Sequence, residues 1–301
     1  MIRRKKWILG SIVLLLLAAV LALSAWQIKD AMLGPFAGQY FDSDGVRIYF
    51  TDEGRGTPVV LLHGFAGNGY LEWGKCGLTE ALSKEYRVIV PDQRGHGRSD
   101  KPHTPEQYGV QMAEDVVRLL DHLHIEKAHV VGYSMGGFVT LKLIAMHPER
   151  LLSAAPCGAG WEQVTDENMA FGEAVAKALE TRAGFGPLGE RLGLEEEPPT
   201  LYDRLLTLVA LNYFNERPAL ASVMRGMHKL AVTESELQNN SVPVLTMIGS
   251  KDGLLASAQV LAERMANHEL IILEGKDHIN TSGSDAFLLK LQSFLASHTA
   301  I

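Results

Sequence analysis

An α/β fold, a mostly parallel sheet with helices on both faces and an inserted helical cap, is what this sequence predicts. Three features carry that expectation. Short apolar runs recur along the chain between turn residues, too continuous for strands wetted on one face. Segments with apolar residues at helical spacing lie between them. The alternation begins after a predicted antiparallel hairpin and is broken once, over residues 160–232.

Ahead of this body, Trp7 to Ile28 form a stretch of 22 residues without a charge. As a helix rising about 1.5 Å per residue it would cover the roughly 30 Å hydrocarbon core of a bilayer. Arg3, Arg4, Lys5 and Lys6 precede the run, with Trp7 and Trp26 near its two ends. Basic flanks stay cytosolic, so the body is expected on the extracytoplasmic side. A cleaved secretory signal is the competing reading, with small residues around Val20-Leu21-Ala22. The run exceeds the about 7 to 15 residues of a signal core and carries a bulky Trp26 near its C-terminal end, which favours an uncleaved anchor over residues 1–28. Residues 29–37, with Gly34 and Pro35, read as a linker.

The body then follows in order. Val46 to Thr51 alternates apolar and polar residues after Asp44-Gly45, the pattern of a hairpin with Gln39 to Asp42. Buried strands are expected at Val59 to Leu62, Val88 to Val90, His129 to Val131, Val244 to Ile248 and Leu270 to Leu273. A helix is expected through Val110, Ala113, Val116, Val117, Leu120 and Leu123, led by a capping box at Thr104 to Gln107. Others should run from Ser134 to His147, stopped by Pro148, and from about Ser284 to Leu295. The core is thus expected over 38–159 and 233–301, with a helical cap at 160–232.

Composition narrows the function. With 47% hydrophobic and 21% charged residues the chain buries a substantial core, which excludes disorder. The two cysteines, Cys76 and Cys157, allow one bridge without arguing for it, and no zinc-type spacing is present. From Asp30 onward 23 basic residues face 35 acidic ones, a net of −12, which disfavours nucleic acid as a partner. No Gly-rich dinucleotide fingerprint occurs, and neither cofactor nor metal is expected.

The chemistry concentrates at Gly132-Tyr133-Ser134-Met135-Gly136, between an expected strand and an expected helix. Such a turn strains its central residue, projects the hydroxyl outward and sets it at the positive end of a helix. A serine needs a base and the base an orienting acid, which should follow later strands in that chain order, acid before histidine. Asp252 follows the Val244 run and His278 follows the Leu270 run. Asp277 ranks below Asp252, because sequence neighbours rarely bring their side chains face to face. The backbone N–H groups of Met135 and of Phe65, in His63-Gly64-Phe65-Ala66-Gly67, are the expected oxyanion donors. His63 is expected to make a structural hydrogen bond, and His122, His124, His129, His147, His268 and His298 to be surface or helix-end residues.

These motifs, with Asp92-Gln93-Arg94-Gly95-His96-Gly97-Arg98-Ser99, resemble the α/β-hydrolase superfamily in its serine esterase and lipase branch over residues 38–296. The resemblance implies an eight-stranded, mostly parallel sheet with a lid inserted after the sixth strand. It also implies that Asp92 to Ser99 is structural, although Arg94 offers an alternative contact for an anionic substrate. A serine at position 134, rather than a carboxylate, argues against epoxide opening and halide displacement. The expected activity is hydrolysis of a small or medium carboxylic ester through an acyl-enzyme. Carbon–carbon cleavage of a diketone by the same side chains, and a non-catalytic tethered binding protein, are the alternatives. Phe171, Phe185, Leu205, Leu208, Tyr213, Phe214, Met224 and Met227 either pack the cap on the body or line an acyl pocket.

Overall fold

The computed structural model describes residues 31–35, 37–181, 183–194 and 215–299. The Trp7 to Ile28 run lies outside them, as do Leu205, Leu208, Tyr213 and Phe214. Among the described residues no helix is long and apolar enough to cross a membrane.

Strands β1 (Gln39–Ser43) and β2 (Val46–Gly54) form the expected hairpin, and its two turn residues take positive φ, 57° at Asp44 and 80° at Gly45. That is the turn whose twist matches paired strands. Next come β3 (Pro58–Leu62), β4 (Arg87–Pro91), β5 (Ala128–Tyr133), β6 (Leu151–Cys157), β7 (Val244–Gly249) and β8 (His268–Leu273). The eight strands lie in the order β1-β2-β4-β3-β5-β6-β7-β8, parallel from β4 to β8 and antiparallel at the β1–β2 and β2–β4 pairs.

Continuous apolar strands are continuous because both faces are covered. In β3, Val60 and Leu62 enter one core cluster while Val59 and Leu61 enter the other. Helices α1 (Leu78–Leu82), α2 (Val110–His122) and α3 (Met135–Met146) join the first half of the sheet. Leu78 and Leu82 of α1 pack on the second cluster, and α2 and α3 on the first. Each fully buried Leu or Val stabilises the fold by about 1.5–3 kcal/mol.

The segment between β6 and β7 supplies α4 (Asp166–Glu180), α5 (Gly186–Arg191), α6 (Arg217–Gly226) and α7 (Glu234–Gln238). Val175 and Leu179 of α4 meet Leu220 and Met224 of α6 in a cluster of their own, against which Phe65 and Phe185 pack. Arg225 fastens the two helices by pairing with both Glu173 and Glu180. Helices α8 (Leu255–Arg264) and α9 (Asp285–Ser297) complete the body.

Four expectations are corrected. Thr104 makes no capping bond; Pro105–Gln107 form one 3-10 turn, Tyr108 is extended, and α2 starts after Gly109 at φ 67°. Tertiary packing decides this, because the buried Tyr108 ring sits against Gly95 and its hydroxyl donates to the Pro102 carbonyl at 2.5 Å. His129 is fully buried rather than superficial, with Nδ1 2.7 Å from Ser153 Oγ. His268, on β8, is likewise largely buried, with Nε2 2.9 Å from Thr246 Oγ1, and burial pushes it down to about 4. β8 is a sheet edge, so Ile272 stays 41% exposed despite its apolar run.

Strand β6 escapes sequence reading, since Ser, Ala and Pro are poor strand formers. Pro156 is accommodated because β6 registers with β7 only at Ala154, so little pairing is lost where the proline lacks its N–H. Residues 31–35 are docked rather than trailing: Leu33 is buried, Asn68 donates to the Met32 carbonyl at 3.1 Å, and Arg98 to the Gly34 carbonyl at 2.7 Å.

Candidate active site

Ser134 joins β5 to α3 with φ 53° and ψ −115°, a conformation that L residues rarely adopt. Its flanking glycines make the turn possible. A Cβ on Gly132 would overlap the Gly136 carbonyl, and one on Gly136 would overlap the Leu62 carbonyl. The turn is pinned by the Ser134 N–H donating to the Cys157 carbonyl at 2.9 Å, so the unpredicted strand β6 supports the serine directly.

Asp252 follows β7 and His278 follows β8, and the structure brings both to Ser134. His278 Nε2 lies 2.9 Å from Ser134 Oγ, and Nδ1 lies 2.8 Å from Asp252 Oδ2. The other Asp252 oxygen accepts the Leu254 N–H at 2.9 Å. His278 and Asp252 are each 4% exposed, so their bond is shielded from competing water. Asp277 turns away to accept the Ile279 and Asn280 N–H groups, each at 2.9 Å, and shapes the loop only.

The sheet order explains the second half of the site. β3 lies between β4 and β5, where connections run to opposite sides, and a crevice opens beyond the strand ends. The loop after β3 and the turn after β5 are therefore neighbours. His63 Nε2 accepts the Gln93 N–H at 2.9 Å, so Nδ1 carries the proton and donates to the Gly64 carbonyl at 2.7 Å. Burial lowers the pKa of His63 and keeps the ring neutral. Gly67 N–H also donates to the Gly64 carbonyl, at 3.3 Å. In a trans peptide the N–H of Phe65 points opposite to that anchored carbonyl. The Phe65 and Met135 N–H groups have no protein acceptor among the described residues, and both residues line the cavity with Ser134. Met135 opens α3, where backbone donors lack intrahelical partners. The cap contributes Asn215, whose side chain donates to the Ala66 carbonyl at 2.9 Å.

The cavity over Ser134 has a volume of about 310 Å³. Phe65, Phe138, Phe171, Met224, Met227 and Leu254 give it an apolar wall, so three of the cap residues named from sequence line it. Phe185 instead packs edge-on against Phe65 at 6.2 Å. The cavity's charged residues are largely neutralised by pairing: Arg191 holds Glu162 at 2.7 Å and lies over the Phe171 ring. Arg94 does not reach the cavity. It is 1% exposed and grips Asp115 through two 2.6 Å bonds, so its role is structural and the anionic-substrate alternative is withdrawn. Among the described residues no cluster of three or more His, Cys, Asp or Glu could hold a metal. Cys76 and Cys157 are free thiols.

Sequence reading missed Tyr133, Asn215 and Arg191, whose importance is a matter of tertiary contact. Only Tyr133 left a signal, as a bulky residue inside the serine turn.

Residues 57–280 match the family model for the alpha/beta hydrolase fold. The chain belongs to that family. It is 30% identical over 249 residues to the pimeloyl-[acyl-carrier protein] methyl ester esterase of Aeromonas hydrophila, covering 75% of this chain and 89% of that protein. It is 28% identical over 258 residues to the dihydrolipoyllysine-residue acetyltransferase component of the acetoin cleaving system of Pseudomonas putida, covering 81% of this chain. The match spans 64% of that longer relative. Among solved structures, the enol-lactonase of Burkholderia xenovorans superposes with a TM-score of 0.67 at 25% identity, over 86% of this α/β hydrolase and all of the lactonase.

Proposed function

We propose that this α/β hydrolase cleaves small or medium carboxylic esters through an acyl-enzyme on Ser134. The observation that carries the reading is the line Asp252–His278–Ser134, with links of 2.8 and 2.9 Å, opening onto an apolar cavity. A cavity of about 310 Å³ is at the small end of ligand sites, which supports a short or medium acyl chain. An esterase and a lactonase among its relatives support the ester bond.

His278 Nε2 takes the hydroxyl proton as Ser134 Oγ attacks the carbonyl carbon. Asp252 holds the imidazole tautomer and stabilises the cation. The carbonyl π electrons move to oxygen, where the Met135 and Phe65 N–H groups receive the charge. Collapse breaks the bond to the leaving alkoxide, which leaves as the alcohol with the proton from His278. Water, deprotonated by His278, then attacks the acyl-enzyme, and the acid departs as Ser134 recovers its proton.

We also propose that Trp7 to Ile28 anchors the chain, with the hydrolase body extracytoplasmic. The uncharged run behind four basic residues supports this. Retention in the membrane pellet after carbonate washing, with the body open to external protease, is the expected outcome; release of a shortened chain would mean a cleaved signal.

Ser134→Ala should abolish p-nitrophenyl ester hydrolysis while the thermal midpoint is kept, and a fluorophosphonate should label Ser134 of the parent. Turnover retained by Ser134→Ala would overturn the nucleophile. A folded parent that refuses the fluorophosphonate would be a binding protein, and faster cleavage of a diketone than of any ester would move the substrate to a carbon–carbon bond.

A further inference from the structure

Glu72 belongs to none of the segments that carry the reacting groups, yet its carboxylate touches two of them. Oε2 accepts the Gly64 N–H at 3.4 Å, and Oε1 accepts the Ser282 hydroxyl at 2.6 Å. Gly64 immediately precedes Phe65, the second oxyanion donor. Ser282 is 5% exposed and lies on the loop that carries His278 into α9. That loop is stiffened from within, since Thr281 Oγ1 donates to the Asp277 carbonyl at 2.6 Å.

The backbone under Glu72 is specialised as well. Tyr70–Gly74 form a π turn closed by the Lys75 N–H on the Tyr70 carbonyl at 2.7 Å. Asn68 Oδ1 takes the Leu71 N–H at 3.0 Å at its start. Single π turns are rare and are found frequently at functional sites.

We propose that Glu72 is a positioning residue that holds the oxyanion loop and the histidine loop in register, so that donor and base converge on one carbonyl. The proposal rests on the acyl-transfer reading above. Oxyanion donors act only within about 2.7–3.1 Å of the developing charge, and a 1 Å misplacement costs about 100-fold. The two loops come from opposite ends of the chain and approach the serine from β3 and β8, which do not pair. A carboxylate with two acceptor oxygens bridges two donors. A glutamine retains both links by accepting from Gly64 and donating to the Ser282 oxygen; an alanine retains neither.

The experiment uses the full chain, a p-nitrophenyl ester and an alkylboronic acid, which adds to the serine and sets an oxygen in the oxyanion position. Glu72→Ala should lower kcat about tenfold with KM within about twofold, and weaken boronate binding about tenfold, because the donor is displaced only where charge develops. Glu72→Gln should recover kcat to within about threefold of the parent. If Glu72→Ala does not fold, Ser282→Ala, which removes one hydroxyl, should still lower kcat about threefold at unchanged KM. The proposal is overturned if Glu72→Ala keeps kcat within about twofold, raises KM alone, or is matched in its loss by Glu72→Gln. Those results with an inactive Ser134→Ala would remove Glu72 alone, whereas an active Ser134→Ala would remove the underlying reading too.

Discussion

The hydroxyl of Tyr133 donates to the backbone carbonyl of His278 at 2.7 Å, so the residue beside Ser134 holds the loop that carries the histidine bonded to it. Tyr133 is 3% exposed, and its ring lies 5.4 Å from that of His278 and edge-on to Trp73 and Phe287. β5 and β8 are separated by β6 and β7, and this bond spans the gap.

Tyr133→Phe keeps the packing and strands a buried carbonyl. It should destabilise the fold by about 1–3 kcal/mol and lower kcat more than it changes KM. Urea unfolding and steady-state kinetics on one preparation check both; an unchanged stability and kcat would mean that the bond is incidental.

Gly136→Ala should be far more damaging than its size suggests. The added methyl meets the Leu62 backbone carbonyl, which cannot yield without moving β3, so a loss of about 3 kcal/mol or more is expected. Gly189→Ala, in α5 with nothing among the described residues within 4 Å of the added methyl, should instead raise stability by about 0.5–1 kcal/mol. Comparing the two urea midpoints separates backbone collision from helix propensity.

Stability should fall with acid before the carboxylates titrate. His96 and His129 are fully buried, and burial pushes them down to about 3 and about 4 from an ordinary value of 6.5. Below about pH 6.5 the unfolded chain binds these protons while the folded chain does not. The stabilisation is therefore complete above that pH and is lost progressively toward about pH 4 for His129 and about pH 3 for His96, at up to about 1.4 kcal/mol per pH unit for each histidine. His129→Gln should reduce the slope of unfolding free energy against pH by about one proton between pH 6 and pH 4.5. An identical slope in parent and variant would refute this.

Much of the fold and candidate site was legible because it depends on local chemistry. Asp44-Gly45 can form its turn because Gly costs nothing at positive φ, and the apolar runs of β3, β5 and β7 need cover on both faces. The serine turn, Asp252 and His278 were readable because each follows a strand whose end sets its place. What stayed hidden depends on partners far along the chain. β6 is held by its neighbours rather than by strand propensity, and Tyr108 leaves the helical path because its ring finds a buried seat.

The sequence by itself determined the strands and helices whose pattern is local, β6 not among them, and the residue types able to do acyl chemistry, since periodicity and turn residues act over a few positions. Only the tertiary structure decided that Arg94 serves Asp115, that His129 is buried, and that Tyr133, Asn215 and Glu72 touch the loops around Ser134. Those contacts join segments remote in sequence, and one side chain gives no sign of which distant backbone group will come to lie against it until the sheet has set the strand ends side by side.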